Sequence, residues 1–421
     1  MASERISILD GKRILLGVTG SIACYKSADL ASKLVQAGAS VNVILTDAAQ
    51  QFITPLTFQA VTGQVTYTSM WHTDSSGGLP THIAHVGLSE NADMLVIAPA
   101  TAQHIAKLAN GFADDLICLT ALNCRCPILV APAMDGNMYD HPATVENIRK
   151  LQERGIIVIE PDEGRFASGL VGRGRLPEVP TLIGHIRHHM GREWGGLRDR
   201  HVLVTAGGTR EAIDPVRYVT NRSSGKQGYA VAQAALDAGA TVTLISTPTG
   251  LPVPINATAI IVESAQEMLD AVLEHSNAAD ALIMAAAVAD YRPLNVADQK
   301  IKKTDDVLTL DLTRTPDILQ TVGQQRKQTG QPYVLVGFAA ETQDLLKNAK
   351  SKLRRKNVDY IIANDVTRDG AGFQADTNIV TIVGADGNTL SLPQQTKSAV
   401  AEVIIQRIAA RLQTIPHRQR K

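Results

Sequence analysis

The sequence predicts an α/β chain of two doubly wound, Rossmann-like domains, and three observations carry that prediction. Short apolar runs that read as buried parallel strands recur through both halves, helical patterns fall between them, and the succession of strand, glycine turn and helix begins twice, near residue 14 and near residue 202. A chain of 421 residues has room for roughly two to four domains. Its 41 basic and 41 acidic residues leave no formal net charge, which points away from nucleic acid or an anionic membrane as a partner. The first residues lack the apolar core of a signal peptide, and no run approaches the roughly 20 apolar residues of a membrane span, so a cytoplasmic protein is expected. Four cysteines, Cys24, Cys118, Cys124 and Cys126, do not make a disulfide framework in so long a chain, and reduced thiols are expected.

In the first half, residues 14–18 form an apolar strand, Gly20 and Ser21 a turn, and Ile22, Ala23, Leu30, Ala31, Leu34 and Val35 recur at helical spacing as far as Gly38. Further strands are predicted at residues 41–45, 94–98, 128–131 and 156–159. The strand ends carry GVTGSIACYKS, Thr46-Asp47, APAT and APAMDGNMY, small or hydroxylated residues that let a planar, phosphorylated cofactor approach the backbone. GxGxxG is absent, which favours a mononucleotide over a dinucleotide. Residues 182–197 read as a short polar connector, placing a boundary near Gly195 and domains at 1–195 and 196–421.

The second half restarts with a strand at 202–204, a helix at 225–238 and a strand at 241–246. Between them lies a loop with Gly207, Gly208, Thr209, Arg210, Arg217, Asn221, Arg222, Ser223, Ser224 and Lys226, many donors beside a helix N-terminus, which suits phosphate. Thr220 stands where a Walker A loop needs its first glycine, and Gln227 follows Gly225-Lys226, so any nucleotide is held by different geometry. Ser264 to Glu267 reads as a capping box. Residues 281–288 read as a buried strand, 307–312 as an alternating one and 334–338 as another. A helix over 342–356 sets Lys352 and Lys356 on one face, and a C-terminal helix over 397–412 packs through Val400, Val403, Ile404, Ile408 and Leu412.

These blocks, in this order, resemble one family over nearly the whole chain: the bifunctional coenzyme A biosynthesis enzymes, in which phosphopantothenoylcysteine decarboxylase is fused to phosphopantothenate–cysteine ligase. In the first half the resemblance rests on GVTGSIACYKS, a histidine ahead of ADMLVIAPATA, PAM followed by Met138, and GRFASGLVGRGRLPE. In the second it rests on TAGGTREAIDPVRYVTNRSSGKQG, AAAVADYRP, KIKK, TPDIL, VGFAAET and IIANDV.

The resemblance implies a flavodoxin-like first domain that binds flavin mononucleotide (FMN) through Gly20, Ser21, Thr46, Ala100 and Thr101. That domain would decarboxylate the cysteine conjugate made by the second. Two histidines, His82 and His85, compete for the essential role beside the thiol-bearing carbon. The family spacing of eight residues before the Asp of the AD pair fits His85 to Asp93. Two departures stand out. Asp135 replaces the family's asparagine after PAM, and its charge would repel the substrate carboxylate unless protonated or rotated away, with Asn137 as the substitute. Ser168 replaces a cysteine proton donor, and a hydroxyl is a far poorer acid than a thiol, so Ser168 orients a water or another group donates.

For the second domain the resemblance implies a CTP-binding ligase that converts 4′-phosphopantothenate to an acyl-cytidylate and then joins it to cysteine. Lys300, Asp290, Thr315, Pro316, Asp317, Ile318, Phe338, Lys352 and Lys356 match its CTP contacts, and Asn221 the residue that turns over the acyl-cytidylate. Mg²⁺ is expected on phosphate oxygens. The family's flavin site at subunit contacts implies a homo-oligomer, with trimers of the first half and dimers of the second. Two other readings remain at this stage: a working ligase beside a weakened decarboxylase, and a flavoprotein regulatory subunit, against which the intact ligase blocks argue.

Overall fold

The computed structural model describes residues 5–71, 84–165, 169–303, 307–341, 345–365, 372 and 374–415. The chain divides into two compact units, Met1–Met190 and Gly191–Lys421. The first unit runs β1 (Arg13–Val18), α1 (Cys24–Gln36), β2 (Ser40–Leu45), α2 (Asp47–Gln50), α3 (Pro55–Thr62), β3 (Thr66–Tyr67), α4 (Ala84–Ser89), β4 (Met94–Ala100) and α5 (Ala102–Asn110). It continues with α6 (Leu116–Asn123), β5 (Ile128–Pro132), α7 (Gly136–Tyr139), α8 (Pro142–Glu153), β6 (Ile157–Val158), β7 (Asp162–Arg165), β8 (Val171–Arg175) and α9 (Val179–Trp194).

Its sheet has the order β3-β2-β1-β4-β5-β6, with every pairing parallel. Setting aside the two-residue edge strand β3, this is the 2-1-3-4-5 order of flavodoxin-like sheets. Both faces are covered, so β4 is apolar and buried throughout, and β1 is apolar and buried after its first residue, Arg13. Of the residues read as a polar connector, 182–194 form the C-terminal part of α9. Leu182, Ile186 and Met190, four residues apart, are fully buried in the first unit's core, and the histidines and arginines between them hid that stripe from view.

The second unit runs β9 (His201–Ala206), β10 (Arg210–Ala212), β11 (Tyr218–Thr220), α10 (Lys226–Asp237), β12 (Thr241–Ser246), β13 (Thr258–Ile261), α11 (Ala265–Ser276), β14 (Ala281–Met284), β15 (Tyr291–Pro293) and β16 (Leu312–Arg314). Then follow α12 (Ile318–Thr329), β17 (Val334–Glu341), α13 (Leu345–Lys356), β18 (Tyr360–Asp365), β19 (Thr377–Asn378), β20 (Val380–Gly384), β21 (Thr389–Ser391), β22 (Gln395–Thr396) and α14 (Lys397–Gln413). Its main sheet, β13-β12-β9-β14-β17-β18-β20-β21, is parallel as far as β18 and closes with an antiparallel edge.

Two expected strands are shorter than their apolar runs. After Met284 the backbone leaves the ladder, because the Ala286 and Ala289 N–H groups turn to the hydroxyls of Thr205 and Thr209 instead. Of the alternating run 307–312, the only residue in a strand is Leu312, while Val307 is 92% exposed and has no face to bury. The Ser264 capping box is present, its Oγ accepting from the Glu267 N–H at 3.2 Å, and Val400, Ile404, Ile408 and Leu412 of α14 are buried.

Helix α10 lies so close to β9 that a Cβ on Gly228 would sit 2.6 Å from Ala206 Cβ and 3.0 Å from the Thr205 carbonyl oxygen. Gly228→Ala should therefore destabilise the second unit by about 1–3 kcal/mol through overpacking. The measurement is its denaturant midpoint; no shift would mean that α10 moves freely off the sheet.

Candidate functional site

In the first unit the strand order reverses between β1 and β4, where a crevice opens beyond the strand ends. Thr19 there donates its hydroxyl to the Pro99 carbonyl at 2.8 Å and accepts from the Thr101 N–H at 3.0 Å, tying the loop after β1 to the loop after β4. Ser27 Oγ adds a 2.7 Å bond to the Ala98 carbonyl. The resulting cavity of about 510 Å³ is lined by Gly20, Ser21 and Thr101 together with Asp135. Met134, Met138 and Leu176 give it an apolar wall, and Arg165 and Arg175 from the hairpin β7–β8 bring positive charge.

Gly20 is required by the close approach of α2, since a Cβ there would lie 2.5 Å from that of Ala48. Thr46 caps α2 by accepting from the Ala49 N–H at 3.1 Å, and Ala100 is buried at the end of β4. The first turn of α1 holds no acidic residue, and its N-cap, Ala23, contributes no side-chain bond. The amides of Ala23, Cys24 and Lys26 bond to Ser21 and Ala23, while the positive end of this 13-residue helix has no acidic side chain to offset it and suits an anion. This donor set beside an apolar wall fits a phosphorylated planar group such as FMN.

Asp135 turns its carboxylate onto its own helix, accepting from the Asn137 N–H at 3.3 Å and capping α7. His85 lies in the first turn of α4, half-exposed, and is not among the residues lining the cavity. His82 and Ser168 lie outside the described residues. Sequence reasoning passed over Arg165, Arg175 and Lys26. The buried Lys26 donates to the Leu176 carbonyl at 2.9 Å and to Glu178 Oε1 at 2.6 Å, fixing the segment that follows β8. The alternation of Arg173 and Arg175 in VGRGR was the available signal.

The second unit repeats the scheme between β9 and β14. The loop after β9 meets residues 285–290 through a parallel bridge from Gly208 to Ala287. Asn221 Nδ2 donates to the carbonyls of Ala287 and Val288 at 3.2 and 3.1 Å, which fixes its amide. Thr315 joins the same segment, its Oγ1 donating to the Ala289 carbonyl and its N–H to the Asp290 carbonyl at 3.0 Å. Asn221, Asp290 and Thr315 are therefore brought together on one stretch of backbone, with the Asp290 side chain exposed.

Asp317, following Pro316, caps α12 and binds Lys356 at 2.9 Å, while Ile318 is buried and Phe338 half-buried. Lys352, one turn before Lys356 on α13, is half-exposed. Lys300 is exposed beside a pinned segment. The Ile301 N–H donates to Asp214 Oδ2 at 3.1 Å, and the Ile301 carbonyl accepts from Arg217 at 3.0 Å. The Arg217 guanidinium holds the Asp214 carboxyl well below the usual carboxylate range, against the opposing effect of burial. Arg217 reads in the sequence as a phosphate-loop donor, whereas Asp214 and its pairing do not stand out, because Asp in a loop has no period to mark it.

Residues 3–191 match the family described as Flavoprotein, and residues 197–412 that described as DNA/pantothenate metabolism flavoprotein C-terminal domain. The coenzyme A biosynthesis bifunctional protein CoaBC of Bacillus subtilis (strain 168) is 48% identical over 405 residues, 96% of this chain and 98% of that protein. The protein of the same name from Mycobacterium tuberculosis (strain ATCC 25618 / H37Rv) is 43% identical over 408 residues, 94% of this chain and 96% of the other. Among solved structures, that of the C-terminal domain of coenzyme A biosynthesis bifunctional protein CoaBC is 43% identical, covers 52% of this chain and 100% of its own, and has a TM-score of 0.45.

The Asp214 pin predicts how the Lys300 segment loosens. Because the folded carboxyl is depressed, its contribution is present above the unfolded value near 4 and is lost as pH falls through the folded value. Asp214→Asn should likewise free Ile301, speeding tryptic cleavage after Lys300, Lys302 or Lys303 by about tenfold at neutral pH. An unchanged cleavage rate would show that the segment is held by other contacts.

Proposed function

The chain belongs to the family of coenzyme A biosynthesis bifunctional proteins, and from that premise we propose that its two units carry two successive reactions on one substrate. It is an enzyme with a ligase part and a decarboxylase part. The second unit joins cysteine to 4′-phosphopantothenate with CTP, and the first decarboxylates the 4′-phosphopantothenoylcysteine so formed to 4′-phosphopantetheine. The observation that supports this most is that Gly20, Ser21 and Thr101 line a cavity at the switch point of one parallel sheet, while Asn221, Asp290 and Thr315 meet at the switch point of the other.

In the ligase reaction the substrate carboxylate attacks the α-phosphorus of CTP and pyrophosphate leaves; the cysteine amine then attacks the acyl carbon and CMP leaves. Lys300 offsets the charge that builds on the phosphates. Asn221, held by two carbonyls of the opposite loop, orients the acyl-cytidylate for the amine. Asp290 offers an exposed carboxylate at the CTP site, and Mg²⁺ would sit mainly on phosphate oxygens. Asp317, Lys352 and Lys356 border the nucleotide, and the Asp317–Lys356 pair fixes the start of α12 beneath it.

In the first unit, bound FMN supplies a two-electron acceptor that later returns the electrons, the sink that a plain α-carboxylate beside a thiol-bearing carbon lacks. Gly20, Ser21 and the start of α1 would hold its phosphate, with Thr101 at the cavity and Thr46 and Ala100 assigned by the family resemblance. His85 moves the proton at the thiol-bearing carbon. Asp135, committed to capping α7, leaves Asn137 to meet the substrate carboxylate, and either Ser168 orients a water or another group donates the proton. Ile22, Tyr25 and Met138 are exposed at the cavity rim, which supports a homo-oligomer with a subunit contact there. Among the described residues no helix is long and apolar enough to cross a membrane, and a cytoplasmic setting is part of the proposal.

Conversion of phosphopantothenate, cysteine and CTP to phosphopantetheine, with both intermediates followed, tests the whole reading; conjugate that accumulates without carbon dioxide release would favour a weakened decarboxylase. Lys300→Gln should lose conjugate formation while FMN stays bound, and unchanged ligation would remove Lys300 from the CTP site. Asn221→Asp should still release pyrophosphate yet stall before the amide; equal loss of both steps would reduce Asn221 to shaping the pocket. His85→Asn should keep FMN but abolish carbon dioxide release from the purified conjugate, whereas His82→Asn should retain most of it. The reverse outcome would move the base to His82.

A further inference from the structure

Behind Thr101 in the first unit runs a chain of polar contacts that the decarboxylation does not use. Thr101 Oγ1 lies 3.3 Å from His104 Nδ1 and also accepts from the His104 N–H at 3.4 Å. His104 is only 6% exposed, and its Nε2 lies 3.1 Å from Asp115 Oδ2. The same carboxylate oxygen accepts from Lys107 Nζ at 3.0 Å, while Asp115 Oδ1 accepts from the Cys118 N–H at 2.9 Å and so caps α6. Burial alone would raise the Asp115 carboxyl, but the bonds from His104, the Cys118 N–H and Lys107 outweigh it and hold the group well below the usual carboxylate range. Asp115 is therefore an acceptor on both oxygens near neutral pH.

His104, Asp115 and Cys118 also bring one potential metal-ligating atom each within 4.8 Å of one another. The Lys107 ammonium already occupies the carboxylate, and burial keeps the Cys118 thiol protonated, so a cation would meet positive charge and no thiolate. The arrangement is better suited to passing hydrogen-bond polarity along a line.

We propose that His104 is a positioning residue for the flavin cavity: its Nε2–H donates to Asp115, its Nδ1 lone pair accepts the Thr101 hydroxyl proton, and Thr101 therefore faces the bound ligand as an acceptor only. The inference rests on the flavin reading of this cavity and adds a specificity rule to it. With its proton turned inward and one lone pair taken by the His104 N–H, Thr101 Oγ1 has one lone pair left for the cavity it lines. It can accept from a ring N–H or a ribityl hydroxyl of the flavin, and it repels a phosphate oxygen. Phosphate is thereby directed away from Thr101 Oγ1, to Gly20, Ser21 and the start of α1. The network thus fixes which end of the ligand lies where.

Asp115→Asn tests the polarity directly. Its carbonyl can still cap α6, but its amide then offers a donor to His104 Nε2, which drives the ring proton to Nδ1 and turns the Thr101 hydroxyl proton into the cavity. Flavin-free full-length protein is titrated with FMN, following the quenching of flavin fluorescence, for the wild type, Asp115→Asn, Thr101→Val and the double variant. The proposal expects each single change to weaken FMN binding by about tenfold or more, and the double variant to bind no worse than Thr101→Val alone, because both act through one hydroxyl. Wild-type affinity in Asp115→Asn, or losses that multiply in the double variant, overturns it. Failure of the wild type itself to bind FMN overturns the flavin reading, an outcome visible before any substitution is made. Nitrogen-15 NMR of the histidine-labelled wild type supplies a readout independent of folding in the variants: a His104 ring protonated at Nε2 alone supports the proposal, and protonation at Nδ1 overturns it.

Discussion

Where a parallel sheet reverses its strand order, two neighbouring chains leave the ladder in opposite directions, and their last N–H and carbonyl groups lose their regular partners while still buried. Each such group costs about 1–3 kcal/mol if left unpaired. In both units of this protein, side-chain hydroxyls and amides take over. Thr19 and Ser27 serve the chain around Pro99, and Thr205, Thr209 and Asn221 serve the stretch that follows β14. These bonds hold two loops at fixed separation, and Gly20, Ser21 and Thr101 in the first unit, like Asn221 and Asp290 in the second, are built on one loop or the other. Without them the crevice would be a pair of unconnected turns.

The two crevices diverge from a common plan. In the first unit the hairpin β7–β8 and the loop after β5 add an apolar wall and two arginines, giving a cavity suited to a flat ring with a charged tail. In the second, the edges are polar: the Asp214–Arg217 pin steadies the lysine-bearing segment and the Asp317–Lys356 pair steadies the start of α12. A phosphate-rich ligand with little apolar surface suits that setting. One chain can hold both a flavin-type and a nucleotide-type ligand because the sheet supplies the same scaffold twice and the peripheral segments supply the chemistry.

Much of this was legible in the sequence, for identifiable reasons. Strands buried on both faces are apolar runs, so β1, β2, β4, β5, β9, β12 and β14 were found within a few residues, and the glycine turns marked the switch-point loops. The misreadings share a cause, which is that composition does not record where backbone bonds go. The alanine run 281–288 is apolar to its end, yet the strand is Ala281–Met284 with one isolated bridge at Ala287, because threonine hydroxyls claim the Ala286 and Ala289 amides beyond it. Residues 182–194 looked polar, yet three apolar side chains four residues apart were enough to bind the helix to the core. The His104–Asp115 chain, the Asp214 pin and Lys26 were invisible for a related reason. Each depends on partners 11, 87 or 150 positions away, and spacing in the sequence does not encode such pairings.

The central claim is that each switch point holds one ligand, a flavin in the first unit and a cytidine nucleotide in the second. A crystal structure of the full chain grown with FMN and CTP tests it most directly. The account predicts FMN in the first unit, with its phosphate at Gly20, Ser21 and the start of α1 and a donor group on Thr101, and CTP in the second unit, between the loop after β9 and residues 285–290. Either ligand bound away from its switch point, or FMN with its phosphate against Thr101, would contradict it.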